Sequence, residues 1–444
     1  MVHRDDRAPE STPSPSAAPP QRGAGRIAII SAGVGAGHDG AAAGLAKLLT
    51  EHGYLVDRHD FLDLLPTGMG RLLCGAYHRM LTWMPEGYQR LYAATDRATR
   101  PGALWRALFR AAEHHTLRAL APDTRAVVST YPGASQVLGA LRRRGKLTVP
   151  AFTYLTDFSV HTLWVAPGID AHLAVHPVPA AQAHVQGAAA ATVVGPVTDA
   201  RFTPATAGQR TAARERFALP ADAPLALLVA GSWGVGPVRR AAAEIRETGV
   251  AVPVVVCGRN QALTEELRGD GIAHTFGWVD DMAGLMHACD ILVQNAGGLT
   301  SLEAFAAGLP VASYRCIPGH GHTNAAALDE AGLAAWIRDP ADLGPVLAEI
   351  LHGPRGRAQR AVGLDLHRLA PGPVTAIAAR TGPHPAPDAQ PAIRHFAGRR
   401  RIALTAGTVA ATACLGVAAP LAYTYNETPG RFTAVAHYLD GDGR

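Results

Sequence analysis

The chain is short of cysteine, of aromatic residues and of net charge, and each shortage excludes a class of protein. Its five cysteines show no Cys-x-x-Cys spacing, so neither a disulfide framework nor a zinc-finger site is predicted, and buried free thiols in a reducing cytoplasm are expected. The net charge of +5 is scattered, without the aromatic-interleaved basic stripe typical of nucleic-acid binding. A hydrophobic content of 48% supports sizeable buried cores.

The two ends of the chain differ in composition from the middle. Residues 1–25 are rich in proline and serine and contain no apolar run, which predicts a disordered leader rather than a signal peptide. A Pro/Arg-rich linker is expected over 373–401, followed by an uncharged stretch over 402–425 and a polar tail over 426–444. The uncharged stretch is long enough for a transmembrane helix, with a peripheral or packed helix as the alternative. If it spans, Arg399–Arg401 predict a cytoplasmic catalytic part.

Strand-like and helix-like segments alternate along most of the chain, which predicts α/β architecture with doubly wound parallel sheets. Two Rossmann-like lobes are expected, over 26–200 and 201–372, with their boundary within 195–222. The predicted strands are 26–32, 126–130, 151–156, 171–176, 224–230, 252–257, 274–276, 290–294 and 311–314.

One insertion interrupts this alternation. Residues 61–110 carry leucine, methionine, tryptophan and tyrosine interleaved with arginine. One interpretation is a pair of core helices. The other is an amphipathic surface that dips into lipid headgroups and uses its aromatic and arginine side chains as interfacial anchors.

A Gly-Gly turn joins a predicted strand to a predicted helix. Gly297 and Gly298 allow close approach of a ligand to the backbone, and the helix that begins near Leu299 and Thr300 offers free N–H groups to a pyrophosphate. Glu303 lies about one turn into that helix, where it can reach a ribose diol. An ordinary tight strand-to-helix turn would have the same sequence, so the surrounding motifs must decide.

Those motifs resemble a known family. Residues 277–311 (GWVDDMAGLMHACDILVQNAGGLTSLEAFAAGLPV) resemble the donor-binding half of the glycosyltransferases that include diacylglycerol glycosyltransferases, monogalactosyldiacylglycerol synthases and the peptidoglycan enzyme MurG. Residues 31–39 (SAGVGAGHD) look like the first loop of the glycolipid synthases. Thr156-Asp157-Phe158, with His161 and Trp164, and the 61–92 segment match in the same order, so the resemblance extends over roughly 26–350.

The resemblance implies a GT-B fold, with the sugar-nucleotide donor in the C-terminal lobe and the acceptor in the N-terminal lobe. It also implies an inverting enzyme without a metal or a permanently bound cofactor, using a UDP-sugar as donor. The only Asp-x-Asp sequence, Asp440-Gly441-Asp442, lies in the tail, so a metal site is not predicted.

Two residues are candidates for catalysis. An acceptor hydroxyl loses its proton as it attacks the anomeric carbon, and His38, at the mouth of the first loop, has a suitable pKa for a base. Asp157 follows an apolar strand, where a carboxylate faces the cleft of a parallel sheet and can orient that base. The alternatives are a histidine bonded to backbone and a loop-capping aspartate.

The remaining candidates divide into two groups. Gly231 and Ser232 begin a glycine-rich loop that looks like the family's phosphate-facing loop. The expected donor-binding residues are Gly231, Ser232, Trp278, Val279, Gly297, Gly298, Leu299, Thr300, Glu303 and His320. The expected acceptor-binding residues are Gly35, Gly37, Tyr77, Trp83, Tyr88, His161 and Trp164.

One departure from the family lies after Ile317-Pro318-Gly319. The glycolipid synthases tend to carry Gln-Glu there, whereas this chain has His320-Gly321. His320 can replace one hydrogen bond to the donor sugar, but Gly321 cannot replace a carboxylate. The sequence therefore leaves the identity of the donor sugar open.

Three functions follow from these features. The first is transfer of galactose or glucose from a UDP-sugar to a membrane lipid, with diacylglycerol as the acceptor that the resemblance implies, at the cytoplasmic face of a membrane. The second is a MurG-like polyprenyl-linked sugar transferase or a UDP-sugar epimerase. The third is a membrane-tethered protein that binds the nucleotide sugar with little turnover.

Overall fold

A computed structural model describes residues 25–97 and 102–381 of the chain. The first lobe contains six parallel strands in the spatial order β2-β1-β3-β4-β5-β6. Its elements are β1 (Arg26–Ser31), α1 (Ala36–Glu51), β2 (Leu55–Asp60), α2 (Met69–Trp83), α3 (Pro85–Arg97), α4 (Ala103–Ala119), β3 (Thr124–Ser129), α5 (Pro132–Arg143), β4 (Ala151–Tyr154), β5 (Ala171–Ala174), α6 (Pro177–Val185) and β6 (Ala191–Val193), with a 3-10 turn at Thr162–Trp164.

The second lobe repeats this plan with the strand order β12-β11-β10-β7-β8-β9, again all parallel. Its elements are α7 (Ala207–Arg216), β7 (Leu225–Val229), α8 (Val238–Glu247), β8 (Val252–Val256), α9 (Gln261–Gly269), β9 (His274–Phe276), α10 (Met282–Ala288), β10 (Ile291–Gln294), α11 (Leu299–Ala306), β11 (Val311–Tyr314), α12 (His320–Glu330), β12 (Ala334–Ile337), α13 (Leu343–His352), α14 (Pro354–Leu369) and α15 (Pro373–Thr381), with a 3-10 turn at Pro340–Asp342.

The central strands are mostly apolar because helices cover both faces of each sheet. Ile27 and Ile29 of β1 pack with α1, while Ile30 on the opposite face packs with α4 and α5 residues in another cluster. In the second lobe β7 is buried at all five positions. Each fully buried aliphatic side chain of this kind contributes about 1.5–3 kcal/mol. The two sheets are therefore the rigid supports from which the loops at their carboxyl ends project.

The insertion predicted over 61–110 folds as α2, α3 and the first half of α4, rather than as a helical pair. α4 packs against α5 through Phe109 and Ala112, which are buried in the first lobe's core. α2 and α3 form a corner at Met84 that turns an apolar edge outward. The core interpretation is thus confirmed for α4, whereas contact of the exposed α2–α3 corner with lipid headgroups stays a prediction.

The end of the described chain corrects the predicted linker. Residues Pro373–Thr381 form α15, which packs against α1 and near β3 of the first lobe, with Val374 and Ile377 buried. The Gly195 N–H also donates to the Pro371 carbonyl at 2.9 Å. The chain therefore returns from the second lobe to the first, because α15 presents an apolar face that the proline-rich composition concealed.

The membrane-span prediction for 402–425 and the predicted leader lie outside the described residues, apart from Gly25. Among residues 25–97 and 102–381, no helix is both long and apolar enough to cross a membrane.

Candidate active site

A cavity of about 700 Å³ lies between the two lobes. Its walls come from loops that follow strands at the carboxyl ends of the two sheets, where ligands of open α/β sheets bind. The first lobe contributes the loop between β1 and α1 and the residues after β4. The second lobe contributes the loops after β7 and β10 and the start of α11 and α12.

His38 lies in the first turn of α1 and faces this cavity. Its Nδ1 is 2.9 Å from the Thr156 hydroxyl oxygen, and Tyr131 and Trp164 pack beside its ring. Within the described residues no hydrogen-bond partner reaches Nε2, which leaves that nitrogen for a substrate. Burial lowers the pKa of His38 from its ordinary 6.5, although the negative charge of Asp157 opposes the shift. The imidazole is therefore neutral at pH 7, as a general base requires.

Asp157 follows β4 and lines the same cavity, and its carboxylate is held at both oxygens. The Trp164 indole N–H donates to Oδ2 at 3.1 Å, and the Asn324 amide donates to Oδ1 at 3.3 Å. Thr156, rather than Asp157, makes the hydrogen bond to His38. Asp157 therefore acts on His38 through its charge, while Thr156 fixes the ring.

The Gly-Gly turn between β10 and α11 has the conformation that glycine permits. Gly297 has a φ of 75°, and a Cβ there would lie 2.8 Å from the Cβ of Asn324. Gly298 is the residue before α11, and no side chain caps the helix at this position, so the backbone N–H groups at its start are open to an anionic ligand. Gly298, Leu299 and Thr300 line the cavity.

Glu303 lies one turn further along α11, also in the cavity wall. Burial, with the nearby negative charge of Asp199 adding to it and Arg201 opposing it, raises its pKa to about 8. No hydrogen-bond partner among the described residues reaches its carboxyl group. Glu303 is thus a protonated, unpaired group at neutral pH, as expected of a side chain whose partner is a ligand hydroxyl.

The loop after β7 supplies Gly231 and Ser232 to the cavity. Gly231 has a φ of 67°, and its carbonyl and that of Ser232 would clash with any side chain at Gly258. Trp278 and Val279 lie on the adjoining wall, with the Arg259 guanidinium 4.7 Å from the centre of a Trp278 ring. Trp278 is 50% exposed, so its ring is free to stack with a planar base.

The insertion helices of the first lobe contact the second lobe beside the cavity. On α2, the rings of Tyr77 and His78 pack against Trp233. On α3, the Tyr88 hydroxyl is 3.0 Å from Nδ1 of His320, and the Gln89 side chain accepts the Gly319 N–H. The segment expected to hold the acceptor therefore touches the part of the donor lobe expected to hold the sugar.

His320 is the first residue of α12 and lines the cavity. Burial lowers its pKa, and the neighbouring His38 acts in the same direction against the charge of Asp157. A Cβ on Gly321 would lie 2.7 Å from both the Asn295 carbonyl oxygen and Ile317 Cγ1. The departure at His320-Gly321 is therefore built into the packing, because this backbone leaves no room for a glutamate.

Most of the predicted site residues meet at the cavity, but some do not. Of those that do not line it, Gly297 packs against Asn324, and Tyr88, His161 and Trp164 are buried behind the wall. Trp83 is 80% exposed at the α2–α3 corner. The residues that line the cavity are Gly35, Gly37, His38, Tyr77, Asp157, Gly231, Ser232, Trp278, Val279, Gly298, Leu299, Thr300, Glu303 and His320.

Two residues of the site were not predicted as members of it. Thr156 bonds His38, and its position directly before Asp157 was the available signal. Asn324 bonds Asp157 from the other lobe. The available signal was its position one helical turn after His320, which puts His320 and Asn324 on one face of a helix.

Each lobe matches the model of a different known family. Residues 38–194 match the family model of monogalactosyldiacylglycerol (MGDG) synthase, and residues 230–352 match that of glycosyl transferases group 1. The processive diacylglycerol beta-glucosyltransferase of Bacillus mycoides is 28% identical over 233 residues, which cover 49% of this chain and 57% of that protein. The Bacillus cereus (strain AH187) enzyme of the same name is 28% identical over 243 residues, 51% of this chain and 59% of its own. The chain thus spans a little over half the length of these relatives.

Solved structures show the fold. The spinosyn rhamnosyltransferase SpnG, complexed with thymidine diphosphate, superposes with a TM-score of 0.55 at 16% identity, over 80% of this chain and 99% of that one. Medicago truncatula UGT71G1, complexed with UDP-glucose, superposes with a TM-score of 0.52 at 14% identity, over 80% and 96%. With two facing Rossmann-like lobes and a cavity between them, the protein has the GT-B glycosyltransferase fold. Its resemblance to the diacylglycerol glycosyltransferases, predicted from the motifs, is confirmed.

Proposed function

We propose that the protein transfers a hexose, glucose or galactose, from a UDP-sugar to a membrane lipid, with diacylglycerol as the acceptor. The observation that carries the proposal is the neutral His38, fixed through Nδ1 by Thr156 and open at Nε2, in the cavity that also contains Glu303 and the start of α11. The matches to MGDG synthase and to diacylglycerol beta-glucosyltransferases support the choice of acceptor.

The reaction that fits these groups is a single inverting displacement. The acceptor hydroxyl oxygen attacks the anomeric carbon while the bond from that carbon to the diphosphate breaks. His38 Nε2 takes the hydroxyl proton, and the diphosphate leaves with the bonding electron pair. Negative charge develops on the leaving group, where Ser232 and the N–H groups at the start of α11 stabilise it without a metal ion or a bound cofactor.

The donor contacts follow from the same wall. The proposed partner of Glu303 is a ribose diol, and its support is that the carboxyl group is buried without a hydrogen-bond partner among the described residues. The proposed partner of Trp278 and Val279 is the base, with the exposed Trp278 ring as a stacking surface. His320, which lines the cavity at the start of α12, is the proposed contact to the donor sugar.

The acceptor is proposed to arrive from a membrane surface at the α2–α3 corner. Trp83 and Met84 are 80% and 64% exposed there, Leu72 lies on the same helix as Trp83, and Arg79 is exposed one turn before Trp83. Aromatic and arginine side chains on one such edge favour the headgroup region of an anionic bilayer. Tyr77, also on α2, lines the cavity, so this helix joins the surface to the site. We therefore propose that the enzyme works at the cytoplasmic face of the membrane, with any contribution from 402–425 as an additional anchor.

The test incubates the purified full-length chain with UDP-glucose or UDP-galactose and with vesicles that contain diacylglycerol. EDTA is present in the reaction, and the products are identified by mass spectrometry. Hexosyl-diacylglycerol from one of the donors is expected. Conversion of the UDP-sugar without a lipid product would favour an epimerase, and UDP binding without turnover of any donor would favour a binding protein.

A further inference from the structure

Asn324 joins the catalytic loop of one lobe to the nucleotide-binding turn of the other. It lies on α12 of the donor lobe and is fully buried. Its side-chain nitrogen donates to Asp157 Oδ1 at 3.3 Å and to the Ala296 carbonyl at 2.9 Å. Its side-chain oxygen accepts from the Ser159 backbone N–H at 2.7 Å and from the Ser159 hydroxyl at 2.9 Å. All the hydrogen-bonding capacity of the amide is thus used, and three of its four bonds cross the lobe interface.

The neighbours of Asn324 extend this contact in both lobes. The Ser159 hydroxyl oxygen also lies 2.7 Å from the Thr323 hydroxyl oxygen, and the Tyr92 hydroxyl of α3 is 3.2 Å from the same Thr323 oxygen. In the donor lobe, Gly297 packs against the Cβ of Asn324 at a position where only glycine fits. The amide therefore lies at the point where the Asp157 loop, the Gly-Gly turn and α12 meet.

We propose that Asn324 is a positioning residue for the transfer reaction: it orients the Asp157 carboxylate and sets the reactive register of the two lobes. The proposal rests on the proposed glycosyl transfer. Trp164 fixes Asp157 Oδ2 from within the first lobe, so Oδ1 is the oxygen that the donor lobe controls. Formation of the Asn324 bonds couples closure of the lobes to the orientation of the carboxylate that faces His38.

The alternative is that Asn324 only stabilises the fold, as any satisfied buried amide does. The two roles differ in what they predict for an isosteric change. In Asn324→Asp the oxygen that accepts from Ser159 is kept, but the N–H groups offered to Asp157 and Ala296 are replaced by an oxygen. Two carboxyl groups then face each other, and they share one proton at low pH.

The titratable groups that surround Asp157 bear on the pH dependence of this variant. They face it from α1, α2, α3, the loop after β4 and α12, and they are His38, Tyr77, Tyr88, Tyr92, His161 and His320. All six are present in wild type and variant alike, so a difference between the two pH profiles arises from the new carboxyl group, either directly or through its charge on these neighbours.

The experiment measures kcat, the KM for the UDP-sugar and the Kd for UDP at pH 5.5 to 8.5 for the full-length wild type, Asn324→Asp and Gln209→Glu. Gln209 is an exposed amide in the cap of α7, so its exchange is the matched chemical control and should leave all three unchanged. For Asn324→Asp we expect kcat about a hundredfold lower at pH 8, the size of effect that a misplaced catalytic group produces. The loss should shrink at pH 5.5, where the shared proton restores a hydrogen bond, and the Kd for UDP should stay within about threefold.

A loss of kcat that is equal at every pH and accompanied by an equal loss of UDP affinity would overturn the proposal in favour of a purely structural role. Unchanged kcat would overturn it as well. If Asn324→Asp does not fold, Ser159→Ala decides, since it removes one of the four bonds to the amide and should lower kcat several-fold without changing the Kd for UDP; an unchanged kcat there refutes the proposal.

A readout that does not depend on turnover separates this proposal from the function on which it rests. The Ser159 amide donates across the interface, so its hydrogen exchange reports the contact itself. Asn324→Ala should remove protection at Ser159 and leave the amides of β7 and β10 protected. Absence of lipid glycosylation by the wild type would refute the proposed function alone, whereas unchanged protection at Ser159 in Asn324→Ala would refute the interlobe contact.

Discussion

Glu303 offers a direct check on the electrostatics of the site. It is buried in the cavity wall without a protein partner, and burial together with Asp199 raises its pKa to about 8 from an ordinary 4.5. Glu303→Gln replaces it with a neutral side chain of the same shape that does not titrate. The amide keeps hydrogen-bonding atoms for a ribose diol, so UDP binding is expected to survive in this variant and to weaken by about 1–3 kcal/mol in Glu303→Ala.

The size of the stability effect follows from the two pKa values. Below pH 4.5 the carboxyl group is protonated in both the folded and the unfolded chain, so it does not change the free energy of unfolding with pH. Between pH 4.5 and about 8 the folded chain keeps a proton that the unfolded chain has released. Each pH unit in that interval therefore lowers the free energy of unfolding of the wild type by about 1.4 kcal/mol. The complete interval is worth on the order of 5 kcal/mol, and the loss levels off above the folded-state pKa.

The assay is urea unfolding of the wild type and Glu303→Gln without nucleotide at pH 5, 6.5 and 8. The variant should gain in relative stability as the pH rises, because only the wild type bears the cost of the buried carboxyl group. Asp222→Asn, an exchange at an exposed acid outside the cavity, is the matched control and should show no such trend. A constant difference between Glu303→Gln and the wild type across this range would show that Glu303 is not held protonated, and the electrostatic description of the wall would fail.

Three further predictions concern catalysis, the membrane and the donor sugar. His38→Ala should lower kcat by about 10²–10⁴-fold with little change in the Kd for UDP, and an equal loss of nucleotide affinity would contradict a role as base. The acid limb of the wild-type pH profile should lie below the ordinary histidine pKa of 6.5, because burial lowers the pKa of His38. Replacing Trp83 and Met84 together by serine should reduce sedimentation of the protein with anionic vesicles, while activity on a detergent-dispersed acceptor persists. A deletion of 399–444 is tested beside it, and unchanged sedimentation of the double variant would assign membrane attachment to another part of the chain. Gly321→Glu should impair turnover rather than add a sugar contact, because its Cβ would lie 2.7 Å from the Asn295 carbonyl oxygen; improved turnover would show that the loop adapts.

The fold was predictable where strands are buried on both faces. β1, β7 and β8 are continuous apolar runs, and their predicted bounds agree with the structure to within one or two residues. The missed strands, β2, β6 and β12, all lie at sheet edges. β2 has the sequence LVDRHD, and its partly solvated faces require no apolar run, so periodicity gives no signal for it.

The site was predictable where one short segment carries both the glycine and the chemistry. His38 and Glu303 each follow a glycine-containing loop after a strong strand, so sequence order placed both at the cleft. Asn324 could not be found in this way, because its partners, Asp157 and Ser159, are more than 160 residues away and only the packing of the two lobes brings them together. Trp164 was expected in the acceptor wall, and it is instead buried as a hydrogen-bond donor to Asp157.

The central claim is that His38 promotes inverting transfer of a hexose from a UDP-sugar to diacylglycerol. The most direct measurement is product formation by the wild type and by His38→Ala in diacylglycerol vesicles, with the anomeric configuration of the product determined by NMR and UDP binding measured on the same preparations. A β-linked hexosyl-diacylglycerol from the wild type, with at most trace product from a variant that still binds UDP, is the predicted result. An α-linked product, or equal rates for the two proteins, would contradict the account.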